Sequence, residues 1–285
     1  MRWGVEKRLE FIEFRLFWEG GINRADIMDQ FGVSVPQASK DLTLYAEKAP
    51  GNLAYDKSAK RYLAAESFKP VFLKPDAGAY LAQLRVGSLS GNGPEESWLS
   101  AVPSFDAMPV PFRRVTVGVL RKILAAIRAY RAIEIKYQSM SDHRPDPEWR
   151  WITPHALGND GLRWHVRAFC HIDRKFKDFI LSRCLEIRGD ADPEATPPED
   201  QLWQERFDVT LVPNPKLSAP QQDVIAQDYE MQDGMVVVPV RIALLYYFLK
   251  RLRLDVADAL DRPQEAPVIV SNRAEFDAVL KEAMS

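Results

Sequence analysis

A ten-residue run from Gly161 to Cys170, GLRWHVRAFC, constrains the fold of this chain more than any other segment. Its residues alternate in character with the two-residue period of a β-strand. The apolar face of this predicted strand holds Trp164, Val166, Ala168 and Cys170. The opposite face holds His165, Arg167 and Phe169. An arginine and a histidine on the second face of a strand can line a site for an anion, so a small β-rich domain with a binding role is expected here.

Composition indicates an ordinary cytoplasmic protein of two or three domains. The 285 residues exceed what one compact core usually holds, and 46% are hydrophobic and 27% charged. The net charge of −2 means that any contact with nucleic acid must come from a local basic patch. No apolar run reaches the ~20 residues of a membrane span, and the charged N-terminus does not resemble a signal peptide. Two cysteines, Cys170 and Cys184, are typical of reduced thiols in a cytoplasm.

Two compositional shifts predict linkers. Residues 87–111 are rich in Gly, Ser and Pro, and residues 189–200 are acidic and Pro-rich. We therefore expect an α+β chain that divides near residues 90–112 and 189–201.

The N-terminal block predicts a winged helix-turn-helix. Helical spacing runs from Trp3 to Trp18, Asn23 can cap a second helix over 24–31, and Ser34 can cap a third that runs to about Lys48. A hairpin pattern follows over residues 52–64. The small core between the helices is expected to hold Ile27, Phe31, Val33, Ala38 and Leu42. Met28 is bulkier than the small residue usual in the second helix.

Polar side chains on the third helix and the wing suit DNA. Small polar groups on the helix can reach base edges and phosphates, and basic groups on the wing can neutralise phosphates. The candidate DNA-binding residues are Ser34, Gln37, Ser39, Lys40, Thr43, Lys57, Lys60 and Arg61. The alternative is a three-helix packing domain with a solvated polar face.

The middle block predicts a basic helix followed by strands. The helix spans 115–130, and its basic residues suit a solvated face better than a DNA contact. One predicted strand places Ile133, Ile135, Tyr137 and Ser139 on one face. A second, over 151–157, places Thr153 and His155 on one face, and the tight turn 158–161 leads to the strand described first. The last strand alternates Phe179, Leu181, Arg183, Leu185 and Ile187. An arginine in that apolar row needs a carboxylate, a carbonyl or a bound anion.

Enzymatic chemistry is not indicated by any motif. His165, Cys170, His171 and Cys184 lie close in sequence, but no CxxC or HExxH spacing occurs, so we expect no metal site. Cys170 falls on an apolar face, where a cysteine usually serves packing. P-loop, GxGxxG and GxSxG motifs are absent. The sequence predicts neither a cofactor nor an enzyme.

The middle block resembles a known family. TPHALGNDGLRWHVRAFCH, followed by DFILSRCLEI, is similar to the WYL domain of bacterial transcriptional regulators. Its Trp-Tyr-Leu triplet is here Trp164-His165-Val166, so only the Trp is kept. The order of domains fits regulators associated with phage-defence loci, of the BrxR and CapW type. The resemblance implies a winged helix-turn-helix over 1–88, a linker and connecting helix over 89–131, an SH3-like (Sm-like) β-barrel WYL domain over 132–190, and a small α/β C-terminal extension, WCX-like and dimerising, over 201–285.

The function implied by the resemblance is ligand-responsive regulation. It implies a homodimeric repressor of a phage-defence locus that binds an inverted-repeat operator in double-stranded DNA. It also implies that the barrel senses an anionic ligand, a nucleotide or a nucleic-acid fragment. The pocket residues carried over by position are Tyr137, Ser139, His155, Arg167 and Arg183. The plainer alternative is that Arg183 pairs with an acid and Tyr137 belongs to the core. For the whole chain, the rival functions are a protein-interaction adaptor and a non-specific nucleic-acid-binding protein.

Overall fold

The computed structural model describes residues 3–89, 98–100, 103–111, 113–256 and 262–284. The chain forms two compact units, Met1–Pro109 and Val110–Ser285. In the described residues no helix is both long and apolar enough to cross a membrane.

The first unit has the predicted order of helices and hairpin. Its elements are α1 (Trp3–Glu19), β1 (Gly21–Ile22), α2 (Arg24–Phe31), α3 (Val35–Lys48), β2 (Leu53–Asp56), β3 (Arg61–Ala64) and α4 (Ala77–Leu89). The strands pair antiparallel in the order β1-β3-β2. The sequence did not predict β1 or α4.

Local capping chemistry explains the helix limits of this unit. The Asn23 side chain accepts from the Asp26 N–H, while the Asp26 carboxylate accepts from the Asn23 N–H. Gly32 ends α2 with a positive φ of 61°, a conformation that suits glycine. Ser34 then caps α3. The predicted limits of α2 and α3 are confirmed for this reason.

The core of the first unit is built from α1, α2 and α3, with α4 and Leu99 packed beside it. Ile27, Ala38 and Leu42 are buried, and Phe31, Val33 and Met28 pack against them. A second cluster joins Phe14, Leu84 and Leu99. Residues 87–111 are therefore not simply a linker, since α4 runs to Leu89 and Leu99 is buried.

The second unit begins with a helix packed on a five-stranded sheet. The elements are α5 (Val117–Ala129), β4 (Ala132–Tyr137), β5 (Glu148–Asn159), β6 (Trp164–Cys170), β7 (Lys175–Ile180) and β8 (Cys184–Ala191), in the sheet order β7-β6-β5-β4-β8. The apolar stripe of α5 packs on one sheet face with Ile135, Val166 and Phe179. The expected closed barrel is not confirmed, because in the described part of the chain β7 and β8 are the edges of the sheet.

Several predicted strand positions need correction. β4 ends at Tyr137, so Ser139 lies in the following loop. Leu181 to Arg183 form a 3-10 turn between β7 and β8, so the expected single strand through Arg183 is wrong. Leu185 is then exposed. Trp164 is 54% exposed because it begins β6 at the hairpin end, beyond the packed part of the sheet.

The last part of the second unit is a small α/β fold. Its elements are α6 (Gln201–Gln204), β9 (Arg206–Pro213), α7 (Ala219–Asp228), β10 (Val236–Arg241), α8 (Leu245–Arg251), β11 (Val268–Val270) and α9 (Arg273–Met284). Its strands pair antiparallel in the order β10-β9-β11. Residues 189–200 are not a free linker either, because β8 reaches Ala191 and Asp200 is buried.

Candidate DNA interface and candidate ligand site

The inner side of α3 is fixed to α1 by a buried carboxylate. Asp41, 1% exposed, accepts from Arg8 through both oxygens, at 2.6 Å from Nε and 3.2 Å from Nη2. Gln37 donates to the same carboxylate at 2.9 Å. Paired arginine–carboxylate bonds give directional as well as electrostatic restraint. The orientation of α3 is thereby set, and the half-buried Gln37 uses an amide N–H within the protein.

The outer side of α3 carries the remaining candidate residues. Ser34, Lys40 and Thr43 are exposed, and Ser39 is half-buried. The Ser39 hydroxyl donates to the Val35 carbonyl, and the Thr43 hydroxyl donates to the Ser39 carbonyl. Each of these hydroxyl oxygens keeps acceptor capacity. The helix therefore presents a short polar surface with one lysine on it.

The wing presents two exposed lysines at its tip. Lys57 and Lys60 lie in the turn between β2 and β3, which the Asp56 carboxylate orders by accepting from the Ser58 and Ala59 N–H groups. Arg61 differs from them. Its half-buried guanidinium packs over Gly21, where a Cβ would lie 2.7 Å from Nε. Arg61 thus supports the base of the wing, and the tip charge comes from the lysines.

A buried ionic cluster covers the second face of β6. Arg167, 4% exposed, donates to Asp200 from Nε at 2.8 Å and from Nη2 at 3.0 Å. His155 Nε2 lies 2.8 Å from the same Asp200 carboxylate. A bulge in β5 places His155 there, since Pro154 pairs with Ala168 while Ala156 pairs with Arg167. Two of the five predicted pocket residues therefore meet on one carboxylate.

Charges around Arg167 determine which acid neutralises it. Burial acts to raise the pKa of Asp200, but hydrogen bonds from His155 and Arg167 outweigh it and hold that pKa below its ordinary value. Asp178, 3.5 Å from Arg167 Nη1, has its pKa raised because burial outweighs the nearby charges of Arg167 and His165. Asp200 is consequently the main counter-ion of Arg167.

The other three predicted pocket residues lie elsewhere in the domain. Tyr137 is in the core, where its hydroxyl accepts from the Ile180 N–H at 3.2 Å, and Arg183 lies beside that hydroxyl. The Ser139 hydroxyl oxygen accepts from the Ser141 N–H. Tyr137 shares the inward face of Ile133 and Ile135, whereas Arg167 lies on the face of β6 opposite Val166. The structure thus brings together His155 and Arg167, and separately Tyr137 and Arg183.

Two functional candidates were missed by the sequence analysis. Asp200 lies in the acidic segment that we interpreted as a linker, and one carboxylate among several there gives no signal of burial. Arg150, 3% exposed, lies with its guanidinium 5.6 Å from the Tyr137 ring centroid and 3.4 Å from Glu148. Its position two residues into β5 resembles that of any solvated strand arginine.

The residues weighed for metal or thiol chemistry have other partners. His165 contacts Asp160 at 3.1 Å, and His171 contacts Thr153 at 2.9 Å and Glu194 at 3.0 Å. Both cysteines are buried and form no disulfide, and the thiols of Cys170 and Cys184 donate to the Asp173 carboxylate at 3.4 Å and the Ile180 carbonyl at 3.7 Å. Within the described ranges, no group of three or more His, Cys, Asp or Glu residues is placed to hold a metal ion.

Comparison with known proteins gives the same order of domains. Residues 4–86 match the BrxR transcriptional regulator winged helix-turn-helix domain, 118–188 match the WYL domain, and 206–276 match the BrxR transcriptional regulator C-terminal dimerization domain.

Curated relatives match nearly the full length. The chain is 38% identical over 281 residues to the DNA-binding transcriptional repressor CapW of Escherichia coli (strain KTE188), covering 99% of this chain and 93% of that protein. It is 41% identical over 282 residues to CapW of Pseudomonas aeruginosa, covering 98% and 93%. A solved structure, proteasome accessory factor B/C (PafBC) of Arthrobacter aurescens, is 18% identical and covers 99% of this chain and 49% of that chain with a TM-score of 0.23. At 38–41% identity over nearly its whole length, the chain belongs to the CapW family of WYL-domain transcriptional repressors, with the winged helix and dimerization domain of the BrxR type.

Proposed function

We propose that this chain is a homodimeric repressor whose winged helix binds an inverted-repeat operator in double-stranded DNA. The observation that carries the proposal is the surface of α3: its inner side is fixed by Asp41, and its outer side exposes Lys40 and Thr43. A helix held rigidly with polar groups outward suits the major groove. Lys57 and Lys60 at the wing tip suit the flanking phosphates. The relatives' description as DNA-binding repressors supports this reading.

The test is fluorescence anisotropy of the full-length protein on its own upstream DNA and on a scrambled duplex, at two salt concentrations. We expect a specificity ratio of about 10³ or more that persists at the higher salt. Lys57→Ala should weaken binding to both duplexes and reduce the salt slope by about 1, as for one lost phosphate contact. Lys281→Ala, on α9, is the matched control. Unchanged DNA binding in Lys40→Ala and Lys57→Ala would favour the adaptor role. Equal affinity for both duplexes that is lost at the higher salt concentration would favour non-specific nucleic-acid binding.

Dimerisation is proposed to use the outer face of the three-stranded C-terminal sheet. The inner face packs into a core with Val209, Leu211 and Val238. The outer face alternates with it and carries Val237, 50% exposed, opposite Thr210, with Ile269 opposite Val212. The apolar side chains Val212, Val237 and Ile269 of this face lie within the domain that matches a dimerization domain, so a second copy of the chain is their expected partner.

The WYL domain is proposed to sense an anion of the nucleotide or nucleic-acid type, which would relieve repression of a phage-defence locus. The convergence of His155 and Arg167 on one buried carboxylate favours this second function, because a guanidinium fork that binds carboxylate also suits phosphate. A cellular reporter tests it. Arg167→Ala should still bind the operator but lose the response to phage infection. A normal response in Arg167→Ala would refute the anion site at His155 and Arg167.

A further inference from the structure

Asp200 occupies the position that an external anion would take at Arg167. Its carboxylate is 1% exposed and is held by two guanidinium bonds of 2.8 and 3.0 Å and by His155 at 2.8 Å. These are the bonds with which arginine and histidine hold a phosphate oxygen. Asp200 does not belong to the WYL sheet, because it follows β8 by nine residues and directly precedes α6. The cation site is therefore filled by a carboxylate from the connecting segment.

The same segment is attached to the C-terminal domain. Asp200 caps α6 by accepting from the Trp203 N–H at 3.3 Å. The Trp203 ring lies edge-on to His155, with centroids 6.0 Å apart, and the Arg241 guanidinium stands 4.9 Å from the Trp203 ring. Arg241 also donates to the Trp203 carbonyl and ends β10, the edge strand of the C-terminal sheet. Whatever moves Asp200 must also move Trp203 and its contact with β10.

We propose that Asp200 is an internal competitor for the anion site of the WYL domain. A phosphate-type anion binds Arg167 and His155 only by displacing Asp200, and the displacement loosens the segment 197–204 that joins the WYL sheet to the dimerization domain. The inference rests on the proposed anion sensing and adds how binding reaches the dimer. Because one anion replaces another, the buried Arg167 guanidinium is paired with an anion both before and after ligand binding. Bound Asp200 also sets a concentration threshold for the ligand. The apparent ligand affinity scales with the fraction of sites that Asp200 leaves free.

Isothermal titration calorimetry of the full-length protein at low salt tests the competition. The probes are inorganic phosphate and a 5′-phosphorylated DNA dinucleotide, with its 5′-hydroxyl form to separate a terminal phosphate from the rest of the strand. Asp200→Asn keeps an oxygen to cap α6 but removes the charge, and should bind the phosphorylated probes at least tenfold more tightly than the wild type. Adding Arg167→Gln to Asp200→Asn should abolish the gain. Glu199→Gln is the matched control, since Glu199 is a neighbouring carboxylate that accepts hydrogen bonds from Thr196 rather than from Arg167.

The outcomes separate this inference from the function it rests on. Equal, Arg167-dependent affinities in the wild type and Asp200→Asn would overturn the competition and leave anion sensing intact. Absence of binding in both proteins, up to tens of millimolar phosphate, would overturn both.

A measurement on the wild-type protein tests the displacement of Asp200 without depending on the folding of a variant. Hydrogen exchange at the amides of Trp203 and Gln204 should accelerate when the wild type is saturated with the probe, because these amides lie in the segment that Asp200 holds. Unchanged or slower exchange at saturation would overturn the proposed displacement.

Discussion

At the residue scale, Glu13 is a buried carboxylate whose two oxygens both accept hydrogen bonds. It is 0% exposed on α1, and its carboxylate accepts from the N–H groups of Val71, Phe72 and Leu73 and from the Tyr45 hydroxyl. A glutamate at helical spacing gives no sequence signal of burial, because glutamate normally lies on the solvated face of a helix. The partners that explain it lie more than thirty residues away along the chain.

We expect Glu13→Gln to destabilise the protein by about 3 kcal/mol, since one oxygen that accepts backbone N–H groups becomes an NH₂ group that faces them. Urea unfolding monitored by tryptophan fluorescence measures the change. Glu10→Gln is the control: Glu10 forms a partly exposed pair with Lys7 on the same helix and should change stability by less than about 0.5 kcal/mol. Similar effects in the two variants would contradict the assigned network.

Thiol reactivity is a second prediction at this scale. Burial raises the pKa of the Cys184 thiol to about 12, and Cys170 is 0% exposed. Reaction of both thiols with a disulfide reagent at pH 8 should therefore be at least a hundredfold slower in the native protein than in urea, because both side chains are buried from the reagent and, at Cys184, the reacting thiolate is scarce. Rapid labelling of the native protein would contradict the packing of β6 and β8.

At the scale of elements, turn and cap residues fix most helix and strand ends through hydrogen bonds to residues nearby in the chain. The predicted caps Asn23 and Ser34 are confirmed because their side chains bond within three residues. The hairpin between β5 and β6 is governed by Asp160, which accepts from the Leu162 and Arg163 N–H groups at 2.8 and 2.6 Å and contacts His165. The turn therefore lies over 160–163, two residues later than predicted, because β5 continues through Asn159.

Asp160 predicts a pH-dependent contribution to stability. Burial alone would raise its pKa, but the bonds from Arg163, Leu162 and His165 lower the pKa to about 2 from 3.8. A lowered folded-state pKa means that the stabilisation is present above about pH 4 and is lost as the pH falls towards 2. Asp160→Asn should cost about 1 to 2 kcal/mol at pH 7 and progressively less below pH 4, in denaturant unfolding at each pH. The exposed Asp146→Asn is the control, and a pH-independent cost would contradict this assignment.

At the scale of the whole molecule, the proposed dimer interface on the C-terminal sheet predicts how assembly responds to an added charge. A carboxylate introduced into the proposed interface should weaken association of the subunits, because burying it without a partner costs free energy. Val237→Asp should raise the dimer dissociation constant at least tenfold, measured by sedimentation velocity. Val224→Asp, on the exposed side of α7, tests another surface of the same domain and should leave the dimer intact. Dissociation in Val224→Asp alone would place the interface on α7 instead.

The sequence by itself determined α1, α2 and α3 of the first unit, the wing and the inward face of β6 from Val166 to Cys170, because capping and periodicity act over a few residues. It also carried the family resemblance. Only the tertiary structure decided what covers the other face of β6. Asp200 reaches Arg167 across thirty-three positions of the chain, and Tyr137 turns into the core while Ser139 leaves the strand. Such pairings depend on which strands become neighbours and where a bulge falls, and no local pattern of residue types specifies them.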